Sequence, residues 1–112
     1  MKRIYLAGPM AGVEAHNFPA FDAAEKRIAA MGMEAVSPAN LSRKVCAEAA
    51  LDVRTLSIEE AERMMPAFMA VDLSALCTCD AIYMLPGWES SAGAKIEHAL
   101  AEYLGLEVLV LL

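Results

Sequence analysis

The sequence predicts an α/β domain, a three-layer Rossmann- or flavodoxin-like sandwich with a four- or five-stranded parallel sheet. Short apolar runs that end at glycine or proline alternate with longer segments whose apolar residues recur at helical spacing. Because 112 residues are too few for two independent cores, we treat 1–112 as a single domain.

The first third of the chain predicts a strand, a helix and a second strand. The apolar run 4–7 stops at a glycine-proline pair, which is typical of a buried strand. Asn17 is expected to cap a helix that has Pro19 in its first turn and ends at Gly32. A short second strand follows at 34–38.

The middle of the chain gives the weakest signal. Alanine and charged residues in 39–65 favour helix, but their apolar spacing is loose, and a lid and a helix pair of a dimer both stay open. Ser57 and Glu60 form a capping-box pattern, so a helix is expected to begin there. Pro66 is expected to interrupt or restart that helix.

The C-terminal third predicts the clearest elements. A strand at 81–85 ends at Pro-Gly, a loop leads to a helix at 93–104, and Gly105 ends that helix before a last strand at 106–112.

Composition excludes several classes of function. A net charge of −6 argues against binding a nucleic-acid polymer, and no apolar run reaches the roughly 20 residues of a membrane span. The N-terminal apolar stretch is too short for a signal peptide, and the three cysteines lack metal or disulfide spacing, which predicts a cytoplasmic protein with reduced thiols and no metal site. The apolar fraction of 58%, rich in Met and Ala, favours a homodimer or higher homo-oligomer.

Ligands of open parallel sheets bind at the carboxyl ends of the strands. The loop after Tyr5, with Gly8, Pro9 and Met10, can bring its backbone close to a sugar or phosphate, although it matches no nucleotide-binding fingerprint and is equally consistent with an ordinary turn. Met10 and Trp88 are candidates to wall an apolar slot for a flat ring, with a packing role for Trp88 equally open.

Two carboxylates are candidates for chemistry. Asp72 precedes Leu73 in an apolar stripe, where a carboxylate costs free energy unless it is hydrogen-bonded or lines a cleft. Glu97 falls at the edge of the predicted buried stripe of the last helix, near the end that favours anions. On a helical wheel the predicted solvent face is Lys95, His98 and Glu102, and the predicted buried stripe is Ile96, Ala99, Leu100, Tyr103 and Leu104.

Several motifs occur in a familiar order. They are Tyr-Leu-Ala-Gly-Pro at 5–9, Asp72 on the helix before the third strand, and Gly93-x-x-x-Glu97 with Gly105 eight residues later. In this order the chain resembles the nucleoside 2-deoxyribosyltransferase superfamily, especially its small phage and bacterial branch of largely uncharacterised, DUF4406-like domains. The resemblance covers both ends of the chain and leaves 39–65 unaligned.

The resemblance implies a retaining reaction at the N-glycosidic bond of a nucleoside or nucleoside 5′-monophosphate, without a cofactor. Glu97 would be the nucleophile, Asp72 would protonate the departing base, and Tyr5 would orient Glu97. The loop at Gly8, with Ser90 and Ser91, would contact the 5′ end of the sugar. The backbone from Ser91 to Gly93 could bind a phosphate.

Other functions stay open. The same fold could serve as a non-catalytic nucleotide-binding or assembly module. A fainter resemblance links the Leu-Pro-Gly turn at 85–87 to the phosphoribohydrolases that activate cytokinins, but Trp88 and Glu89 stand where that turn needs more glycine. The base, the sugar and the need for phosphate are not fixed by the sequence.

Overall fold

A computed structural model describes residues 2–110, which form one four-stranded parallel sheet with helices on both faces. The strand order is β2-β1-β3-β4, and every pair is parallel. The strands are β1 (Arg3–Ala7), β2 (Glu34–Val36), β3 (Ala81–Met84) and β4 (Glu107–Val110), and the helices are α1 (Phe18–Ala30), α2 (Pro38–Glu48), α3 (Ile58–Leu76) and α4 (Ala92–Leu104). The predicted α/β class is confirmed. Residues 111 and 112 of the predicted last strand lie outside the described residues.

The alternation of side chains along β1 separates two apolar clusters. Ile4 and Leu6 pack on one face against α1 and α2, in a first cluster that includes Phe21. Tyr5 packs on the other face against α3 and α4, in a second cluster that includes Leu76. These clusters are the two interfaces of a three-layer sandwich.

Helix α3 begins where the sequence predicts. Ser57 Oγ accepts a hydrogen bond from the Glu60 amide at 3.1 Å, and Glu60 Oε1 accepts one from the Ser57 amide at 2.9 Å, which confirms the capping box. The helix then continues through Pro66 to Leu76 without a break, so the predicted interruption is wrong. Segment 39–65 is α2, a short 3₁₀ turn at Val53–Thr55 and the first turns of α3.

The prediction that the Asn17 side chain caps α1 is also wrong. Asn17 occupies the N-cap position in a left-handed conformation, with a φ of 60°, and its side chain caps no helix amide. Instead Asn17 Nδ2 donates to the Pro9 carbonyl at 2.9 Å and so ties the helix start to the loop after β1.

Helix α4 is rotated relative to the helical-wheel prediction. Its buried residues are Ala94, Glu97 and Ala101. Of the predicted buried stripe, only Leu100 is half-buried, and the other four residues are exposed: Ile96, Ala99, Tyr103 and Leu104. Two of the three buried residues are alanines, whose small side chains allow a helix to approach a sheet closely. Within residues 2–110, no helix combines the length and hydropathy needed to cross a membrane.

Candidate active site

Tyr5 lies at the centre of the site because β1 is an interior strand, between β2 and β3. The side chain points to the face covered by α3 and α4 and is fully buried. Its hydroxyl donates a hydrogen bond to Glu97 Oε2, a contact between residues 92 positions apart in the chain. Burial raises the pKa of the Tyr5 phenol, and the charges of Glu97 and Asp72 raise it further, so the hydroxyl stays a neutral donor.

Glu97 lies on the buried face of α4, one turn after Ala94. Ser91 begins this helix by accepting a hydrogen bond from the Ala94 amide at 3.2 Å, which fixes the position of the first turn. Burial raises the pKa of Glu97 to about 8, the Tyr5 hydrogen bond acts in the opposite direction, and the charge of Asp72 adds to the increase. A carboxyl group in this environment exchanges a proton near neutral pH.

Asp72 lies on α3, one turn before Leu76, and faces the same side of the sheet as Tyr5. Only 9% of the residue is exposed, and its Oδ1 atom has no hydrogen-bond partner among residues 2–110. Burial raises the pKa of Asp72 to about 7. A buried carboxylate oxygen without a donor is costly, so this environment favours the protonated form of Asp72.

Together the three side chains hold an acid and a base. Burial raises the pKa of both carboxyl groups, to about 8 for Glu97 and about 7 for Asp72, so the pair shares one proton near neutral pH, and the Tyr5 hydroxyl favours the charged form of Glu97. One group is then a nucleophile or base and the other an acid. Among residues 2–110, no group of three His, Cys, Asp or Glu is arranged to hold a metal ion.

The loop after β1 approaches the end of β3 very closely. A Cβ atom on Gly8 would lie 2.8 Å from Leu85 Cβ, so only glycine fits at this position. Pro9 contributes the carbonyl that binds Asn17, and Met10 packs against the first cluster. Gly8 therefore has a packing role that the sequence did not reveal.

Trp88 and His98 form a contact that sequence analysis missed. Their rings are stacked, with centroids 4.5 Å apart and an interplanar angle of 25°, and His98 Nδ1 lies 3.2 Å from a carboxylate oxygen of Glu102. His98 is thus half-buried rather than fully on the solvent face. Trp88 packs against the second cluster and Met10 against the first, so the two proposed walls of the apolar slot lie on opposite faces of the sheet. Because Trp88 lies in the loop before α4, no periodic pattern in the sequence predicts its contact with His98 on that helix.

The serines of the same loop have internal partners. Ser90 Oγ donates to the Gly87 carbonyl at 2.9 Å, and Ser91 Oγ caps α4. Gly93 has open space around it, since a Cβ there would meet no atom within 4 Å. Of these residues, Gly93 leaves the most room for a ligand at the start of α4.

Several basic side chains are paired with acids rather than directed at the acidic site. Arg3 binds Glu34 and the Thr78 hydroxyl, while Arg43 binds both carboxylate oxygens of Asp22. Two open grooves of about 500 and 550 Å³ lie beside Arg43 and are not lined by Tyr5, Asp72 or Glu97.

These features define a small parallel α/β domain with a buried tyrosine and two buried carboxylates beneath α3 and α4. Residues 2–110 match the domain of unknown function DUF4406, and the chain belongs to that family. A comparison with curated proteins finds no match.

Proposed function

We propose that this protein cleaves or transfers at the N-glycosidic bond of a nucleoside or nucleoside 5′-monophosphate, as a 2-deoxyribosyltransferase-like enzyme or N-glycosidase. The observation that supports this most is the buried hydrogen bond from Tyr5 to Glu97, with the unpartnered Asp72 carboxyl on the same face of the sheet. The resemblance of the motifs at 5–9 and 93–97 to that superfamily points to the same chemistry.

In the first step, Glu97 would attack the anomeric carbon of the sugar. A bond forms between a Glu97 carboxylate oxygen and that carbon, while the bond from the carbon to the base nitrogen breaks. The electron pair of the broken bond stays on the base, which takes the proton held by Asp72. Tyr5 holds Glu97 in place through its hydroxyl.

In the second step, water or another base would attack the same carbon of the glycosyl ester. The ester bond to Glu97 breaks, Glu97 regains its negative charge, and Asp72 takes the proton of the attacking group. Water gives a hydrolase and a second base gives a transferase, and configuration at the anomeric carbon is retained in both.

We further infer that the protein is a cytoplasmic homo-oligomer. Cys46, Cys77 and Cys79 are all free in the described structure, as in proteins of reducing compartments. The outer faces of α3 and α4 expose Val71, Ile96 and Tyr103, which favours contact with another copy.

The decisive experiment is base release from a panel of nucleosides and their 5′-monophosphates, followed by chromatography. We expect release from at least one member, and a loss of at least about 100-fold in Glu97→Gln and in Asp72→Asn. Activity restricted to ribonucleoside 5′-monophosphates would favour a phosphoribohydrolase over a 2-deoxyribosyltransferase.

Glu102→Gln is the matched control, because Glu102 is an exposed glutamate on the same helix. It should retain wild-type turnover. Equal release by wild type and Glu97→Gln would contradict the proposed chemistry. Stabilisation of the fold by nucleosides without any turnover would identify a non-catalytic nucleotide-binding module.

A further inference from the structure

Helix α3 is much longer than the strands it covers. Its 19 residues span about 28 Å at 1.5 Å per residue, whereas the five residues of β1 span about 16 Å. Asp80, four residues after the end of α3, is level with the start of β1, because the Asp80 amide donates to the Arg3 carbonyl at 2.8 Å and the Arg3 amide donates to Asp80 Oδ2 at 2.8 Å. The excess length therefore projects beyond the carboxyl ends of the strands.

The face of α3 that meets the sheet continues along this projecting half. Met65 precedes Asp72 by seven residues, so the two lie on nearly the same line of the helix, within about 20°. Asp72 and Leu76 on this line are buried, whereas Met65 is 48% exposed. Phe68, one turn before Asp72, packs against the first cluster and so reaches across the strand ends.

Met65 and Asp72 thus offer complementary surfaces to one ligand. Helical side chains lean toward the N-terminus of their helix, which directs the Asp72 carboxyl toward the turn of α3 that lies between Asp72 and Met65. Asp72 Oδ1 lacks a partner and needs a polar group, while Met65 presents a flexible thioether that packs well on the face of an aromatic ring. A flat heterocycle with a polar edge satisfies both.

We propose that Met65 is a substrate-binding residue that packs against the base ring of the nucleoside whose polar edge meets Asp72. This inference rests on the proposed function and assigns the base end of the site. The flexible methionine can adjust to rings of different size, so both purine and pyrimidine nucleosides are expected to bind.

Binding is measured by calorimetry in the Glu97→Gln background, which leaves the ligand intact. The probes are 2′-deoxyadenosine, thymidine and 2-deoxyribose, which has no base. Met65→Asp should weaken both nucleosides by at least about tenfold, through lost ring contact and a charge beside Asp72. Met65→Leu should stay within about threefold of the parent, and deoxyribose should bind equally to all variants.

Met31→Asp is the matched control, since Met31 is 60% exposed just after α1, on the other face of the sheet. It should bind nucleosides as the parent does. Unchanged nucleoside binding by Met65→Asp overturns the assignment. A loss of binding that light scattering traces to dissociation of an oligomer also overturns it, because a second copy of the chain would then cover Met65. The Glu97→Gln parent could bind no nucleoside although the wild type releases base and needs Glu97 to do so. That result overturns this inference alone. If the parent binds no nucleoside and the wild type releases no base, the proposed function is overturned as well.

Discussion

The two buried carboxyl groups make the stability of this protein depend on pH. Burial raises the pKa of Asp72 to about 7 and that of Glu97 to about 8, far above the values near 4 of an unfolded chain. Between about pH 4 and about pH 8 the folded protein therefore holds more protons than the unfolded chain. The free energy of unfolding therefore falls as pH rises from about 4 to about 8.

Asp72→Asn should reduce this dependence. Wild type should lose several kcal/mol of unfolding free energy between pH 4.5 and 8, and the variant should lose roughly half as much because one of the two titrating groups is gone. Urea unfolding at both pH values measures the difference. Glu62→Gln, an exposed position on the same helix, should keep the wild-type slope. An identical slope in Asp72→Asn would show that Asp72 is not protonated on folding.

The contact between Tyr5 and Glu97 shows what sequence could and could not predict at this scale. The resemblance implied the pair, but residue patterns alone placed Tyr5 in a strand and Glu97 at the edge of a helix stripe, without a partner for either. Their contact depends on the depth at which α4 packs on the sheet. The other buried residues of α4 are Ala94 and Ala101, whose small side chains give only a weak signal in a hydrophobicity pattern.

At the scale of elements, local signals predicted helix ends better than helix faces. The capping box at Ser57 and the glycine at Gly105, with a φ of 74°, are short-range devices and both are confirmed. The buried face of α4 is set by tertiary packing, and the helical wheel placed four exposed residues on it wrongly: Ile96, Ala99, Tyr103 and Leu104. Pro66 was expected to break α3, yet α3 continues through it.

Because the projecting half of α3 has little of the sheet to pack against, its first turn should depend strongly on the capping box. Ser57→Ala removes the Oγ acceptor of the Glu60 amide and should cost about 1 kcal/mol of unfolding free energy. Amide hydrogen exchange should accelerate in residues 58–62 and stay unchanged near Leu76. The measurements are urea unfolding and exchange followed by mass spectrometry.

Ser74→Ala is the control for this change, since Ser74 is an exposed serine in the last turn of the same helix. It should be neutral or slightly stabilising, as alanine favours helix. If both variants exchange at the wild-type rate in 58–62, contacts other than the cap hold this turn.

For the whole molecule, the strand and helix pattern predicted the architecture because each parallel strand is an apolar run with a sharp stop. What the pattern could not assign is the surplus of apolar residues. The structure places part of that surplus outside the core, where Ile96 is 50% and Tyr103 is 88% exposed. These two residues are two turns apart on α4 and lie on one line, about 10 Å from each other.

An apolar line of this kind on a small acidic domain is costly in water and favours self-association. Light scattering should therefore give a mass of at least twice 12.0 kDa for wild type. The double change Ile96→Asp and Tyr103→Asp should lower the mass to that of one chain, since two buried charges in a symmetric contact repel each other. Met31→Asp, on the other face of the sheet, should leave the wild-type mass unchanged. Self-association would be contradicted if the wild-type protein stays monomeric at the highest concentration at which its solution is clear. An oligomer that survives the double change would place the contact elsewhere on the surface.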